Sequence, residues 1–176
     1  FSDVAPCVWY TQAVAWMAEQ GITLKTTGSF GPKKGITNGQ LARLMWGFMD
    51  APGSLPDHQF TDIPANAAYN DAVDWMVAQG LVNDGTTVSP KRQVNRGRVL
   101  NLLWQLAGSP EPAEDLTIPD VSEAAPFADA ADWAVDTGVV SLLPDGTLRP
   151  RSKVTRAQAA VMADHGRIDV LVNNAG

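Results

Sequence analysis

Apolar residues recur along this chain at helical spacing, and they do so in three matched sets. Tyr10, Ala13, Val14 and Met17 stand at i, i+3, i+4 and i+7, as do Tyr69, Ala72, Val73 and Met76. Phe127, Ala130, Ala131 and Ala134 keep the register with smaller side chains. Each set predicts an amphipathic helix whose stripe faces a core. A second stripe follows each time: Leu41, Leu44, Met45 and Phe48, then Val99, Leu102, Leu103 and Leu106, then the weaker Ala159, Met162, Ala163 and Gly166. The pattern predicts an all-α chain of three helix-turn-helix repeats, at residues 1–50, 60–108 and 118–163, with an atypical tail at 164–176. Three such units are enough to bury faces that none can bury alone, which makes the repeats together one domain.

Fixed landmarks punctuate the repeats. Trp16, Trp75 and Trp133 follow Asp3, Asp62 and Asp120 by the same interval, and Gly21, Gly80 and Gly138 follow the tryptophans at a spacing suited to a left-handed helix end. The indoles flank the stripes and are expected in the core, because a buried indole contributes a large apolar area. Turn-rich connectors come next, each with one apolar residue two before a proline: Phe30, Val88 and Leu148, ahead of Pro32, Pro90 and Pro150. These three are expected to plug the core. The Asp84-Gly85 and Asp145-Gly146 pairs lack the alternating acids of a calcium loop and read as turns. Second helices open at Thr37, Asn95 and Thr155, whose side-chain oxygens suit the free N–H groups of a first turn. Trp46 and Trp104 share an offset off the buried stripe, where Asp164 stands in the third repeat. They are possible groove aromatics, covering a groove or stacking on a sugar, or else they pack on a neighbouring unit. Two Pro-rich, acidic linkers, Ala51 to Gln59 and Gly108 to Thr117, read as surface crossings between repeats.

Composition narrows the partners. A net charge of -6 disfavours a nucleic-acid surface or an anionic membrane face, since both need clustered Lys and Arg. The single Cys7 excludes an internal disulfide and any cysteine-based metal site, with only His58 and His165 as nitrogen ligands. No metal, redox cofactor or other cofactor is expected. No apolar run reaches the roughly 18 residues of a spanning helix, so no membrane insertion is expected. The sequence opens inside the first repeat with no signal-peptide pattern, so any export signal is expected to have been removed or to lie outside it.

The combination of Phe-x-Asp-Val, aromatic-x-x-Ala-Val-x-Trp-(Met/Leu)-x-x-x-Gly, turn-Gly-x-(Phe/Leu)-x-Pro and Val-Thr-Arg-Ala-(Glu/Gln) resembles the S-layer homology motif, which comes in threes. The resemblance covers residues 1 to about 163. It implies a pseudo-threefold bundle with first helices at the centre and grooves between neighbouring units. It further implies a non-catalytic, extracellular module of the bacterial cell surface, whose grooves bind pyruvylated secondary cell-wall polysaccharide and anchor surface proteins.

The third motif, Val154-Thr155-Arg156-Ala157-Gln158, is the fullest copy; Ile36-Thr37-Asn38-Gly39-Gln40 and Val94-Asn95-Arg96-Gly97-Arg98 are degraded ones. An arginine in the first turn of a helix adds a cation to the positive end of the helix dipole, which suits a carboxylate such as a ketal-linked pyruvate. Resemblance places ligand binding on Thr155, Arg156 and Gln158, less completely on Asn95, Arg96 and Arg98, and on Thr37 and Gln40, between which Asn38 replaces the arginine. The competing reading is that Arg156 and Arg96 contact carbonyls or acids of the adjacent unit. Two functions follow: an anchor on cell-wall polysaccharide, or an assembly module whose degenerate grooves serve contacts with other protein subunits. Residues 165–176 resemble the strand and Asn-Asn-Ala-Gly turn of short-chain dehydrogenases, without the Thr-Gly-x-x-x-Gly-x-Gly loop or Tyr-x-x-x-Lys that such chemistry needs. That tail is open to three readings: a fusion scar, a frameshifted end, or a strand packing on the third repeat.

Overall fold

The computed structural model describes residues 1–162 and 164, apart from 20, 23–27, 51–54, 84 and 86, and its regular structure is helical. The elements are α1 (Thr11–Glu19), α2 (Asn38–Phe48), α3 (Asn70–Ala78), α4 (Arg96–Leu106) and α5 (Ala128–Asp136). A further helix runs over 156–162. Among the described residues extended pairing is limited to isolated antiparallel bridges. The all-α expectation therefore holds. Ala163, Gly166 and the dehydrogenase-like tail from His165 lie outside the described residues.

Helix ends follow from local chemistry. Thr37 accepts from the Gln40 N–H while the Gln40 side chain accepts from the Thr37 N–H, a complete capping box. Thr155 and Gln158 repeat it, with Gln158 Oε1 3.0 Å from the Thr155 nitrogen. Asn95 caps α4 by accepting from the Arg98 N–H at 2.9 Å. At the other end of α3, Gly80 takes a left-handed φ of 69°, and the Leu81 N–H reaches back to the Met76 carbonyl at 2.9 Å. That six-to-one bond closes orphan carbonyls of the last turn.

The stripes are buried as expected, with differences at their ends. Ala13, Val14, Met17, Ala72, Val73 and Met76 are core residues, and so are Ala130, Ala131 and Ala134. Tyr10, Tyr69 and Phe127 instead precede the helices and are half-buried, Tyr69 and Phe127 as N-cap residues without a side-chain cap bond. Phe48 and Leu106 are also half-buried, because α2 and α4 end there. Trp75 and Trp133 are 4% and 3% exposed. Trp16 differs: it is half-buried and meets the Phe48 ring edge-on at 6.0 Å. Phe30 and Leu148 plug the core, whereas Val88, the smallest of the three, is only half-buried.

Compactness does not follow the repeat boundaries. One compact unit comprises Phe1–Val94 with Thr155–Ala160, and the other comprises Asn95–Val154 and the chain from Val161. In the first, α2 packs on α3, and in the second α4 packs on α5. The second helix of one repeat thus lies against the first helix of the next. The approach is close because Gly39 and Gly97 have no side chain: a Cβ would stand 2.9 Å from Tyr69 Cδ1 and 3.2 Å from Phe127 Cδ1, respectively.

Candidate functional site

The connectors are where the motif residues converge, and one backbone position in each organises the contacts. Asp3 Oδ1 accepts from the Phe30 N–H at 2.7 Å, and its Oδ2 accepts from the Gly31 N–H at 2.8 Å and the Ser29 hydroxyl at 2.6 Å. Asp62 holds the Val88 and Ser89 N–H groups at 3.0 and 2.7 Å. Asp120 holds those of Leu148 and Arg149 at 2.9 and 2.8 Å. Each aspartate thereby clamps the connector of its own repeat. The residue before the proline is left-handed in all three: Gly31 at φ 71°, Ser89 at 53° and Arg149 at 55°. Two side chains are held there against a steric cost of about 1–2 kcal/mol each, with the carboxylate bond on the same residue's N–H.

The carbonyl of the same plug residue is taken by a motif from a different repeat. Arg156 Nη1 donates to the Phe30 carbonyl at 2.8 Å, and Arg96 Nη1 donates to the Leu148 carbonyl at 2.6 Å. Asn38 Nδ2 donates to the Val88 and Ser89 carbonyls at 3.1 and 3.0 Å. Asn38 therefore does with an amide what the arginines do with a guanidinium. The competing sequence reading, arginine on a carbonyl of the adjacent repeat, is the geometry found. Arg156 Nε is buried and has no hydrogen-bond partner among the described residues.

Backbone bonds complete each joint. Asn38 and Gly39 donate to Arg92 and Pro90, Arg96 and Gly97 to Ser152 and Pro150, and Arg156 and Ala157 to Lys34 and Pro32. With the cap side chains on the next N–H, the first-turn donors of these helices are spent within the protein. The anion recognition that a bare helix start offers is thus closed at the level of the backbone. Thr37, Thr155, Gln40 and Gln158 are used as caps, and Asn95 likewise, with Arg98 supplying the capped N–H. Trp46 and Trp104 are half-buried, and Trp104 Nε1 donates to the Pro110 carbonyl at 2.8 Å, fastening the linker. Asp145 makes the expected turn, accepting from the Thr147 hydroxyl and N–H at 2.6 and 3.1 Å. Asp84 lies outside the described residues.

Electrostatics follow the bonds. The Ser29 hydroxyl and the Gly31 and Phe30 N–H groups hold the Asp3 carboxyl at about 2, below its ordinary 3.8. Burial, with Arg149 close by, lowers Arg96 from its usual value, and Asp120 opposes the shift. Burial raises Asp132 above the usual carboxylate range, against a bond from the Leu116 backbone.

Beside the Arg156 joint lies a depression of about 530 Å³ lined by Asp3, Tyr10, Gly31, Pro32, Lys33 and Lys34. Lys33 and Lys34 are exposed on it. A Cβ on Gly31 would lie 2.9 Å from Lys34 Cδ and 3.3 Å from Arg156 Nη1, so glycine keeps this corner open. Trp9, 64% exposed, stands edge-on to Tyr10 at 5.1 Å. Sequence reasoning missed Lys33, Lys34 and Trp9, although a base follows the connector proline in every repeat, as Lys33, Lys91 and Arg151. For Trp9 the signal was an aromatic ring that the matching positions, Ala68 and Pro126, do not carry. Among the described residues no group of His, Cys, Asp and Glu could hold a metal ion. No helix among them is long and apolar enough to cross a membrane.

A comparison with curated proteins gives no match. The family model described as S-layer homology domain matches three times, at residues 1–42, 59–97 and 117–160. These are the three repeats, each ending in the helix that its motif opens. Members of that family are cell-surface modules that associate with the cell wall. With most of its length covered by three tandem matches, and with the same landmarks in each, this chain belongs to the S-layer homology domain family.

Proposed function

We propose that the chain is a non-catalytic anchor binding an anionic secondary polysaccharide of the bacterial cell wall, and that the depression at Tyr10 and Gly31–Lys34 takes an acidic sugar. The observation that carries this reading is the pair of exposed lysines, Lys33 and Lys34, that line one concavity with Tyr10 and Asp3; the exposed indole of Trp9 stands against the Tyr10 ring. Cations recognise a carboxylate, such as that of a ketal-linked pyruvate, and an indole face covers a sugar ring. Thr155 and Gln158 act by fixing the helix start that carries Arg156. In the lesser copies Thr37, Gln40 and Asn95 likewise fix helix starts and Arg96 holds the Leu148 carbonyl, so that the exposed Arg98 would serve a weaker contact with the same polymer. The assembly reading, contacts with other protein subunits, is favoured by a different observation: the motif donors already bind protein carbonyls.

Sedimentation with purified sacculi, before and after the secondary polymer is stripped, separates the two. Lys33→Ala with Lys34→Ala removes charged donors worth about 1.5–3 kcal/mol each, so binding is expected to weaken at least about tenfold. Trp9→Ala is expected to weaken it as well. Equal binding to stripped sacculi, or indifference to all three substitutions, overturns the anchor and leaves the assembly module.

A further inference from the structure

The three joints are built alike but from chemistry of unequal durability. Arg96 and Arg156 answer the Leu148 and Phe30 carbonyls with guanidinium groups, whereas Asn38 answers those of Val88 and Ser89 with a side-chain amide. The residue after Asn38 is Gly39, and no other asparagine in the sequence precedes a glycine. Asparagine amides are thermolabile, and a following glycine makes them most so, because it has no Cβ to shield its backbone nitrogen. That nitrogen attacks Cγ and gives up its proton, the Cγ–Nδ2 bond breaks, and ammonia leaves a five-membered succinimide. Water then opens the ring to aspartate, or to isoaspartate, in which the main chain runs through the β-carbon.

The folded joint opposes each part of that step. Asn38 is the first residue of α2, and a helical ψ of about −42° turns the next nitrogen away from the face of the side-chain carbonyl. The Gly39 N–H donates to the Pro90 carbonyl at 3.0 Å, which holds the proton that must be lost. Asn38 Nδ2 is fixed on the Val88 and Ser89 carbonyls at 3.1 and 3.0 Å. Gly39 is buried, with the Tyr69 ring against it.

We infer that Asn38-Gly39 is a site of spontaneous deamidation, kept unreacted by the closed joint and released when the joint opens, so that an opening of this joint can become permanent. The product has no donor to put back. A carboxylate at this place sets a negative charge against two carbonyl oxygens, and the isoaspartyl form also adds a carbon to the main chain in the turn that the Thr37 and Gln40 capping box closes. Neither arginine can follow this path, so of the three carbonyl donors this one alone is perishable.

The test needs no polysaccharide and stands apart from the anchor reading. The full chain is kept at mildly alkaline pH with and without denaturing urea, then digested, and the peptide carrying Asn38 is weighed and assayed with an isoaspartyl methyltransferase. Conversion of the amide to the acid is expected to run at least about tenfold faster in urea than in the folded chain. Without urea, Asp62→Ala, which releases the Val88 and Ser89 N–H groups, is expected to speed conversion, whereas Asp120→Ala, which releases those of Leu148 and Arg149, is expected to leave it near the folded rate. In the Asn38→Asp chain, which carries the product's carboxylate from the start, the Gly39 and Val94 amides, donors to Pro90 and Ile36, are expected to exchange about tenfold faster than in the unaltered chain. Equal conversion in folded and unfolded chains overturns the inference. So does equal acceleration by the two aspartate variants, or unchanged exchange in Asn38→Asp.

Discussion

Phe30, Val88 and Leu148 each have both backbone polar groups in the hands of side chains from two repeats, an aspartate on the N–H and a motif residue on the carbonyl. Asn38 tests whether this is a joint or an accident of reach. Asn38→Ala leaves two carbonyls without their donor and is expected to cost about 1–3 kcal/mol in urea denaturation. Asn38→Arg restores the donor used at the other two joints and is expected to come within about 1 kcal/mol of the unmodified chain, given the usual 0.5–1.5 kcal/mol worth of one hydrogen bond. The exchange of arginine for asparagine read from sequence as a loss, because residue type shows charge but not the acceptor, and the acceptor here is a backbone carbonyl of the next connector. The aspartates were legible as landmarks, yet not as clamps, since their partners lie a whole helix and connector downstream. Acid gives a second check. The folded Asp3 carboxyl sits at about 2 against an ordinary 3.8, so its contribution to stability is whole above 3.8 and disappears as pH falls through about 2. An NMR titration of the Asp3 carboxyl carbon is expected to show that low midpoint, and Ser29→Ala to raise it.

At the scale of elements, helix packing turns on two missing side chains. Gly39 and Gly97 let the rings of Tyr69 and Phe127 lie against α2 and α4. Gly39→Ala adds a methyl within 2.9 Å of a ring carbon, and overpacking of about 1–3 kcal/mol is expected to outweigh the roughly 1 kcal/mol gained in helix propensity. Gly97→Ala meets its ring at 3.2 Å and is expected to be nearly neutral. Combining Gly39→Ala with Tyr69→Ala should cost less than the two changes summed, and calorimetric melting of the single and double variants checks it. Helical period located these helices well, because burial follows the stripe. It drew Tyr10, Tyr69 and Phe127 into the stripe for the same reason, although each stands just before its helix and covers the neighbouring repeat's helix start or a depression instead. The third repeat carries Ala157 at the glycine position and buries it, so a methyl is tolerated where the surroundings are shaped for it.

At the scale of the molecule, the compact unit holding the first repeat includes Thr155–Ala160 from the third. Arg156 supplies the donors to Phe30 and Lys34, and Ala157 the donor to Pro32. A chain ending at Val154 is expected to exchange the Phe30, Gly31 and Lys34 amides about tenfold faster or more, with a smaller change at Val88 and Ser89, whose carbonyl donor is Asn38. Equal change at both connectors would mean that the third motif supports the whole molecule without preference. Repetition in the sequence announced three equivalent units, and it could not announce that compactness would cut across them, because the cut depends on which repeat each motif docks against.

The docking of Arg156 on Phe30 also bears on time. Polypeptides are made from the amino terminus, and a domain ordinarily folds once its own stretch has emerged. Here the earliest connector waits for a partner 126 residues later, so the first repeat is not finished until the third motif has been made. Until Arg156 is out, a nascent chain holds the Phe30 carbonyl without its guanidinium donor, so the first repeat gains its full stability only with the third motif.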